Sequence, residues 1–121
     1  TIIILHMLLV HTIFQDLIHS SKQIDSMITV VEKTLYQTQN KSPQDPLNFP
    51  IRLNNKLGHL NSLSYGDYPP TDQAIEVKNE LFGQINEQIK EFDRIKTEEI
   101  KAFNYLFREK MVDVIWIEDK K

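Results

Sequence analysis

Histidines are the first candidates for chemistry in this chain, because clusters of them bind metal ions. His11 and His19 fall near one face of a predicted helix, with Gln15 between them, but they lie eight residues apart. A helical metal site typically places two histidines four residues apart with a carboxylate close by. His6 and His59 have no partner near them in the sequence. The spacing therefore predicts structural or exposed histidines, no metal site and no metal cofactor.

Paired carboxylates are the second candidates, since general acid–base catalysis uses them. Glu98 and Glu99 are adjacent, and Asp67 and Asp72 lie close in sequence. Catalysis requires a carboxyl group held in a cleft that shifts its pKa, whereas neighbouring helical residues point about 100° apart and are usually solvated. The chain contains three glycines, too few for a Gly-rich phosphate loop, and shows no nucleophile-elbow motif. We therefore expect no catalytic residue, no cofactor and no enzymatic activity.

Composition narrows the class of protein. The chain has 121 residues, which suits a single domain with a modest core. Its net charge is −3 and lysines alternate with glutamates, so it lacks the basic surface that nucleic-acid binding requires. Cysteine is absent, which excludes disulfides and thiolate sites. The scarcity of glycine and proline favours long helices over a β fold.

The elements that would position these residues begin with a long helix, predicted over residues 1–39. Two interleaved sets of residues repeat every seven positions and form one apolar face. Ser21 is the one small polar residue on this apolar face, and its size suggests a close helix crossing there. The first set contains Met7, Phe14, Ser21, Ile28 and Leu35, and the second contains Ile3, Val10, Leu17, Ile24 and Val31.

Prolines predict a linker over residues 40–50, because a proline inside a helix removes a hydrogen bond and clashes with the preceding turn. Pro50 is expected in the first turn of a short helix over residues 51–63, whose central apolar residue, Leu57, should be buried. A loop follows over residues 64–70. Thr71 is then well placed as an N-cap.

A second long helix is predicted over residues 71–111, with a bend or a change of packing partner near residues 95–100. Residues 112–121 are expected to form an extended tail in which Val114 or Trp116 packs back on the helices. The fold class is therefore all-α, a bundle of two long antiparallel helices plus a short third helix. The predicted buried face of the long helix contains Ala74, Val77, Leu81, Ile85, Ile89, Phe92, Ile95, Ile100, Phe103 and Leu106.

The opening residues, TIIILHMLLV, are more apolar than one helix face requires. This stretch is about half the length that crosses a bilayer and lacks the flanks of a signal peptide, which favours a buried helix end over a membrane span. Its residues surround the helix, so some should contact a second chain or a further domain. Tyr65, Tyr68 and Trp116 could also anchor a partner, although packing on the bundle is favoured for them. The candidate interaction residues are Ile2, Ile4, Leu5, Leu8, Leu9, Tyr65, Tyr68 and Trp116.

Several motifs occur in order: FPIRLNNKLGHLNS, YPPTDQAIEVKNELFGQINEQI and AFNYLFRE. They resemble the C-terminal helical region of bacterial proteins built on a sortilin-like, BNR-repeat β-propeller, which are often described as glycosyl hydrolase-like or sialidase-like. The resemblance covers about the last 75 of the 121 residues. The matching positions are Pro50, Ile51, Leu53, Asn55, Lys56, Leu57, Pro70, Thr71, Ala74, Phe103 and Asn104.

The resemblance implies a non-catalytic domain that follows a propeller in a larger exported bacterial protein, periplasmic or surface-associated. Any hydrolytic residues of such a protein would lie in the propeller, and these residues contain no Asp-box repeat. The implied partner is therefore an upstream propeller. The alternative is a stand-alone module that self-associates through its first helix. A third hypothesis, an enzyme with a site in the bundle core, ranks below both.

Overall fold

A computed structural model describes residues 1–66 and 68–110 of the chain. Within these ranges the backbone forms helices and turns and no β-strand, which confirms the all-α prediction. The predicted tail over residues 112–121, with Val114 and Trp116, lies outside the described residues. The elements are α1 (Ile2–Leu35), a 3₁₀ turn (Asp45–Leu47), α2 (Leu53–Leu63), α3 (Asp72–Arg94), a π-helical turn (Ile95–Glu99) and α4 (Ile100–Lys110).

The two long helices are antiparallel, as predicted. Near the end of α1, Val31 faces the same cavity as Phe92 of α3. Further toward its beginning, Asp16 forms an ion pair with Lys110 at the end of α4. Residue numbers therefore rise along α1 as they fall along the helix made by α3, the π-helical turn and α4. The short α2 packs mainly against α3 and less against α1.

The core is small and each helix contributes few residues to it. Ile95 is the one completely buried side chain among the described residues. On α1, the buried residues Leu17 and Val31 both belong to the second predicted set. Ser21, from the first set, is exposed, and its hydroxyl donates to the carbonyl of Ile18 at 2.8 Å, so the predicted close crossing is wrong. The buried apolar residues are Leu17, Val31, Leu53, Leu81 and Ile95.

The linker ends later than predicted. Arg52 is the N-cap of α2 and its backbone is extended, with φ −107° and ψ −178°. Pro50 therefore lies before α2 and not in its first turn, and that prediction is wrong. The Pro50 carbonyl accepts a hydrogen bond from Nε2 of Gln37 at 2.7 Å. This contact ties the start of α2 to the chain just beyond α1.

The start of α3 matches its prediction. The Thr71 hydroxyl accepts a hydrogen bond from the backbone N–H of Ala74 at 3.2 Å. Asp72 stands in the first turn, where its charge complements the helix dipole. Thr71 is therefore the N-cap, as the sequence indicates.

A π-helical turn occupies the place where the apolar pattern drifts. The backbone N–H of Ile100 bonds to the carbonyl of Ile95, five residues earlier, which defines a π turn. The wider turn rotates the buried face of α4 relative to that of α3. It allows the long helix to keep one apolar face toward α1 despite the polar residues Thr97, Glu98 and Glu99.

Candidate functional site

The beginning of α1 carries an apolar segment, residues 2–14, in which most of the large side chains are exposed and Val10 and Ile13 are half-buried. Seven large apolar side chains between Ile2 and Leu9 are exposed by 56% to 83%. The prediction of a buried helix end is therefore wrong. Lys110, the last described residue of α4, pairs with Asp16, which follows the apolar segment. The exposed members are Ile2, Ile3, Ile4, Leu5, Met7, Leu8 and Leu9, with Phe14 one turn further on.

The apolar segment is hydrophobic on all sides of the helix. Successive helical residues point about 100° apart, so the run from Ile2 to Leu5 covers the whole circumference. Residues 2–14 contain no Asp, Glu, Lys or Arg. A helix that is apolar all round is normally buried in protein or lipid, which makes this segment the candidate contact surface.

The composition of α1 raises the question of whether this helix crosses a membrane. Among the described residues, this helix is long and apolar enough to cross a bilayer by length and composition, with a mean hydropathy of 1.6 in its best 18-residue window and none of that window buried. Signal sequences and some helices of soluble proteins meet the same criterion, so composition alone does not separate them.

An apolar groove lies on the bundle itself, along α3. Three adjoining cavities follow this helix from Ala74 to Phe92, and each shares lining residues with the next. The central cavity has a volume of about 760 Å³. α2 forms one wall near Leu57, and the end of α1 forms the other near Leu35. The apolar residues of the central cavity are Leu35, Tyr36, Leu57, Phe82, Ile85 and Ile89.

The groove explains why part of the predicted buried face is exposed. Ile89 is 47% exposed and Phe92 is 37% exposed, although the sequence predicts both as core. They face the open groove, because α2 begins at Leu53, beside Gln88, and leaves the following length of α3 uncovered. Val77 is also exposed, but it does not line the groove. These three predictions of burial are wrong.

Lysines flank two aromatic residues of the groove. Nζ of Lys78 lies 5.8 Å from the ring centroid of Phe82, and Nζ of Lys96 lies 5.2 Å from that of Phe92. Both lysines are exposed. Each ammonium group can stay hydrated while its ring is covered by an apolar surface.

No family model, curated protein or solved structure matches this chain. The resemblance to propeller-associated helical domains therefore stays a prediction.

The side chains considered for chemistry do not converge. His6, His11, His19 and His59 are all exposed. Among the described residues there is no group of three His, Asp or Glu that could hold a metal ion. Asp67 lies outside the described residues, and Asp72 belongs to the first turn of α3.

Glu98 and Glu99 take part in a network that the sequence analysis missed. Arg94 donates to Glu98 at 3.3 Å and to Glu99 at 2.8 Å. It also donates to both carboxylate oxygens of Glu91, at 3.0 and 2.8 Å. The bonds from Arg94 lower the pKa of Glu91, and the pKa of Arg94 is raised well above its ordinary value. Glu91 and Glu98 stand three residues before and four after Arg94, a spacing that signals helix ion pairs.

Tyr65 and Tyr68 are separated from the apolar segment. They are 84% and 88% exposed, so the expectation that they pack on the bundle is wrong. Both follow the end of α2 at Leu63, in the loop that precedes α3. Because α1 and α3 are antiparallel, this loop is at the opposite end of the bundle from the apolar segment. Trp116, the third predicted anchor, lies outside the described residues.

Proposed function

We propose that this chain is a non-catalytic helical domain that makes contact between protein domains, and that the apolar segment of α1 is its contact surface. The observation that carries the proposal is the exposure of the seven apolar side chains between Ile2 and Leu9. Burying apolar surface stabilises by about 25 cal/mol per Å². An exposed helix with apolar residues on every side therefore gains most from a partner that surrounds it.

The rest of the molecule supports a scaffold role for the bundle. The core residues Leu17, Val31 and Ile95 hold α1 against the long C-terminal helix. The ion pair between Asp16 and Lys110 joins α1 to the last described residue of α4. The bundle thus holds α1 in place while the apolar side chains of its first turns are exposed.

The non-catalytic part of the proposal rests on the dispersion of titratable groups. Catalysis by side chains needs an acid, a base or a nucleophile brought together in a pocket. Here the histidines are exposed and dispersed, and Glu91, Glu98 and Glu99 are occupied by Arg94. The cavities along α3 have mainly apolar linings.

The resemblance stated above identifies the first candidate partner, a β-propeller on the N-terminal side of an exported bacterial protein. The apolar segment is the part of this chain nearest to any preceding domain, so it is the natural site for such a contact. The coding sequence upstream of Thr1 tests this directly. We expect it to continue into Asp-box repeats; an upstream region without them would contradict the propeller assignment.

The contact role is tested by charge insertion in the protein as its gene encodes it. Replacing Leu5 and Leu9 together by Glu places two charges on the apolar segment without touching the bundle core. We expect lost association in sedimentation velocity, or faster proteolysis between this domain and a preceding one, with unchanged helix content. Val30→Glu is the matched control, because Val30 is 63% exposed on the same helix. Equal behaviour of the double variant and the control would refute the proposal.

A second function, self-association, is favoured by a separate observation. The same chain carries both an unpartnered apolar helix and an unpartnered apolar groove. Two different apolar surfaces on one chain are what a heterologous contact between identical copies requires.

A further inference from the structure

We propose that the apolar groove along α3 of one copy receives the apolar segment of α1 from a second copy of this chain. The inference rests on the proposed function, since it names the partner that covers the apolar segment. It adds the receiving surface and the identity of that partner. The binding mode is a helix laid in an apolar groove.

The apolar segment cannot occupy the groove of its own chain. α1 is continuous from Ile2 to Leu35, and the groove is bounded by Leu35 and Tyr36 at its far end. Leu9 and Leu35 are therefore about 39 Å apart along the axis. Packing of Leu17 and Val31 in the core keeps the helix in place. The contact is consequently possible only between chains.

The dimensions of the two surfaces agree. The groove follows α3 from Ala74 to Phe92, a length of about 27 Å. The apolar segment, residues 2–14, is about 18 Å long and fits within that length. On α3 the groove-facing residues Phe82, Ile85 and Ile89 recur at spacings of three and four, the periodicity that packs against another helix.

The charges of the two surfaces allow close contact. The apolar segment contains no Asp, Glu, Lys or Arg, so its burial does not desolvate a carboxylate, an ammonium or a guanidinium group. Its Thr12 hydroxyl already donates to the carbonyl of Leu8 at 3.0 Å. In the groove, Lys78 and Lys96 are exposed and can remain in water. Asn54 and Asn61 line the α2 wall and offer hydrogen bonds to His6 or His11.

The exposed area exceeds that of a compact monomer. The chain has an accessible surface of 10547 Å², whereas about 6,800 Å² is expected for a compact monomer of 14.3 kDa. Residues 111–121 can supply at most about 1,900 Å² of the difference, the area of eleven residues in an unfolded chain. About 1,800 Å² remains, more than the roughly 800 Å² per partner of a standard interface.

The contact joins two different surfaces, so it is heterologous. Reciprocal exchange between two copies gives a closed dimer, and one-way insertion gives a growing chain of copies. Both assemblies contain the same contact between the apolar segment and the groove. The test therefore uses variants that limit each copy to one half of the contact.

Two full-length variants provide the test. The segment variant, Leu5→Glu with Leu9→Glu, keeps the groove. The groove variant, Phe82→Glu with Ile89→Glu, keeps the apolar segment. We expect wild-type protein to self-associate in sedimentation velocity and each variant to be monomeric. An equimolar mixture should form a 1:1 heterodimer, because one intact segment then meets one intact groove.

Val77→Glu is the matched control for the groove variant, since Val77 is an exposed apolar residue of α3 outside the groove. It should self-associate like the wild type. Circular dichroism must show the same helix content in all variants. If Val77→Glu is also monomeric, or if the mixed variants fail to form a heterodimer while both remain folded, the inference is overturned.

Cross-linking tests the contact independently and does not depend on charged substitutions. The chain has no native cysteine, so single cysteines report on defined positions. We expect Leu8→Cys and Ile89→Cys copies to form an inter-chain disulfide on mixing under mild oxidation. Leu8→Cys mixed with Val77→Cys should not. Equal yields in the two mixtures would overturn the inference.

The same variants separate this inference from the proposed function. If the segment variant loses association and the groove variant keeps it, the apolar segment contacts another surface, so the proposed function stands and the inference fails. If neither variant changes the association, both fail. Binding of the wild type, but not the segment variant, to phosphatidylcholine vesicles without self-association would assign the segment to lipid and overturn the inference.

Discussion

Arg94 and Glu99 are five residues apart, yet Nη1 of the arginine lies 2.8 Å from the glutamate carboxylate. In a regular α-helix such residues point about 140° away from each other. The π-helical turn Ile95–Glu99 removes that separation, because its hydrogen bonds join residues five apart. Arg94 thereby links α3 to the π-helical turn on its outer side, while Ile95 is buried on the inside.

This network predicts an acid-dependent stability. Hydrogen bonds from Arg94 hold the pKa of Glu91 below its ordinary value of 4.5. A carboxylate with a lowered pKa in the folded protein stabilises it above the unfolded pKa, and this contribution is lost as the pH falls through the folded pKa. We expect the urea midpoint to fall between about pH 5 and pH 3, and Arg94→Gln to fall less over that range.

The control for Arg94→Gln is Lys96→Gln, which removes the same charge two residues away. Lys96 pairs with Asp93 at 2.8 Å and does not contact Glu91. Its urea midpoint should follow the pH as in the wild type. Equal pH dependence in Arg94→Gln and the wild type would contradict the assigned role of Arg94.

Among the core positions, we expect truncation of Ile95 to lower the free energy of unfolding most. Its side chain is completely buried at the π-helical turn, so truncation leaves a cavity. Ile95→Ala should lower the free energy of unfolding by about 2–5 kcal/mol in urea titrations. Val30→Ala, at a position 63% exposed, should change it by no more than about 0.5 kcal/mol. Similar losses at the two positions would contradict this account of the core.

On α2, the structure indicates that truncating Leu53 should lower the stability more than truncating Leu57, the residue that the sequence predicts as buried. Leu53 is buried, whereas Leu57 is half-buried and lines the groove. Leu53→Ala should cost about 2–5 kcal/mol, and Leu57→Ala should cost clearly less. Urea unfolding of the two variants compares them directly. A larger loss at Leu57 would mean that the groove is already covered in solution.

Helical periodicity was enough to predict the fold, because spacings of three and four residues repeat along both long helices. It could not decide which of two interleaved sets on α1 faces inward. That choice depends on the angle at which α3 packs, and the structure buries Leu17 and Val31 and leaves Phe14 and Ser21 exposed. Local capping chemistry at Thr71 was predicted correctly because it involves only neighbouring residues.

The candidate site could be predicted only in part. The excess of apolar residues in the first turns indicated a contact surface, and the structure exposes that segment. The groove was missed because Phe82, Ile89 and Phe92 have the same spacing as core residues. The exposure of Ile89 and Phe92 depends on where α2 begins, at Leu53, and on the absence of a described element beside them. Periodicity alone cannot supply that information.

The N-cap of α3 gives a final prediction, and it concerns one hydrogen bond. The Thr71 hydroxyl accepts from the N–H of Ala74, one of the donors that a helix start leaves unpaired. Thr71→Ala removes the acceptor and should cost about 1 kcal/mol in urea unfolding. Thr71→Ser keeps the acceptor and serves as the control, with a smaller loss. If Ala and Ser behave alike, the hydroxyl does not cap the helix, and the order at the start of α3 depends instead on Pro70 and on the packing of Ala74.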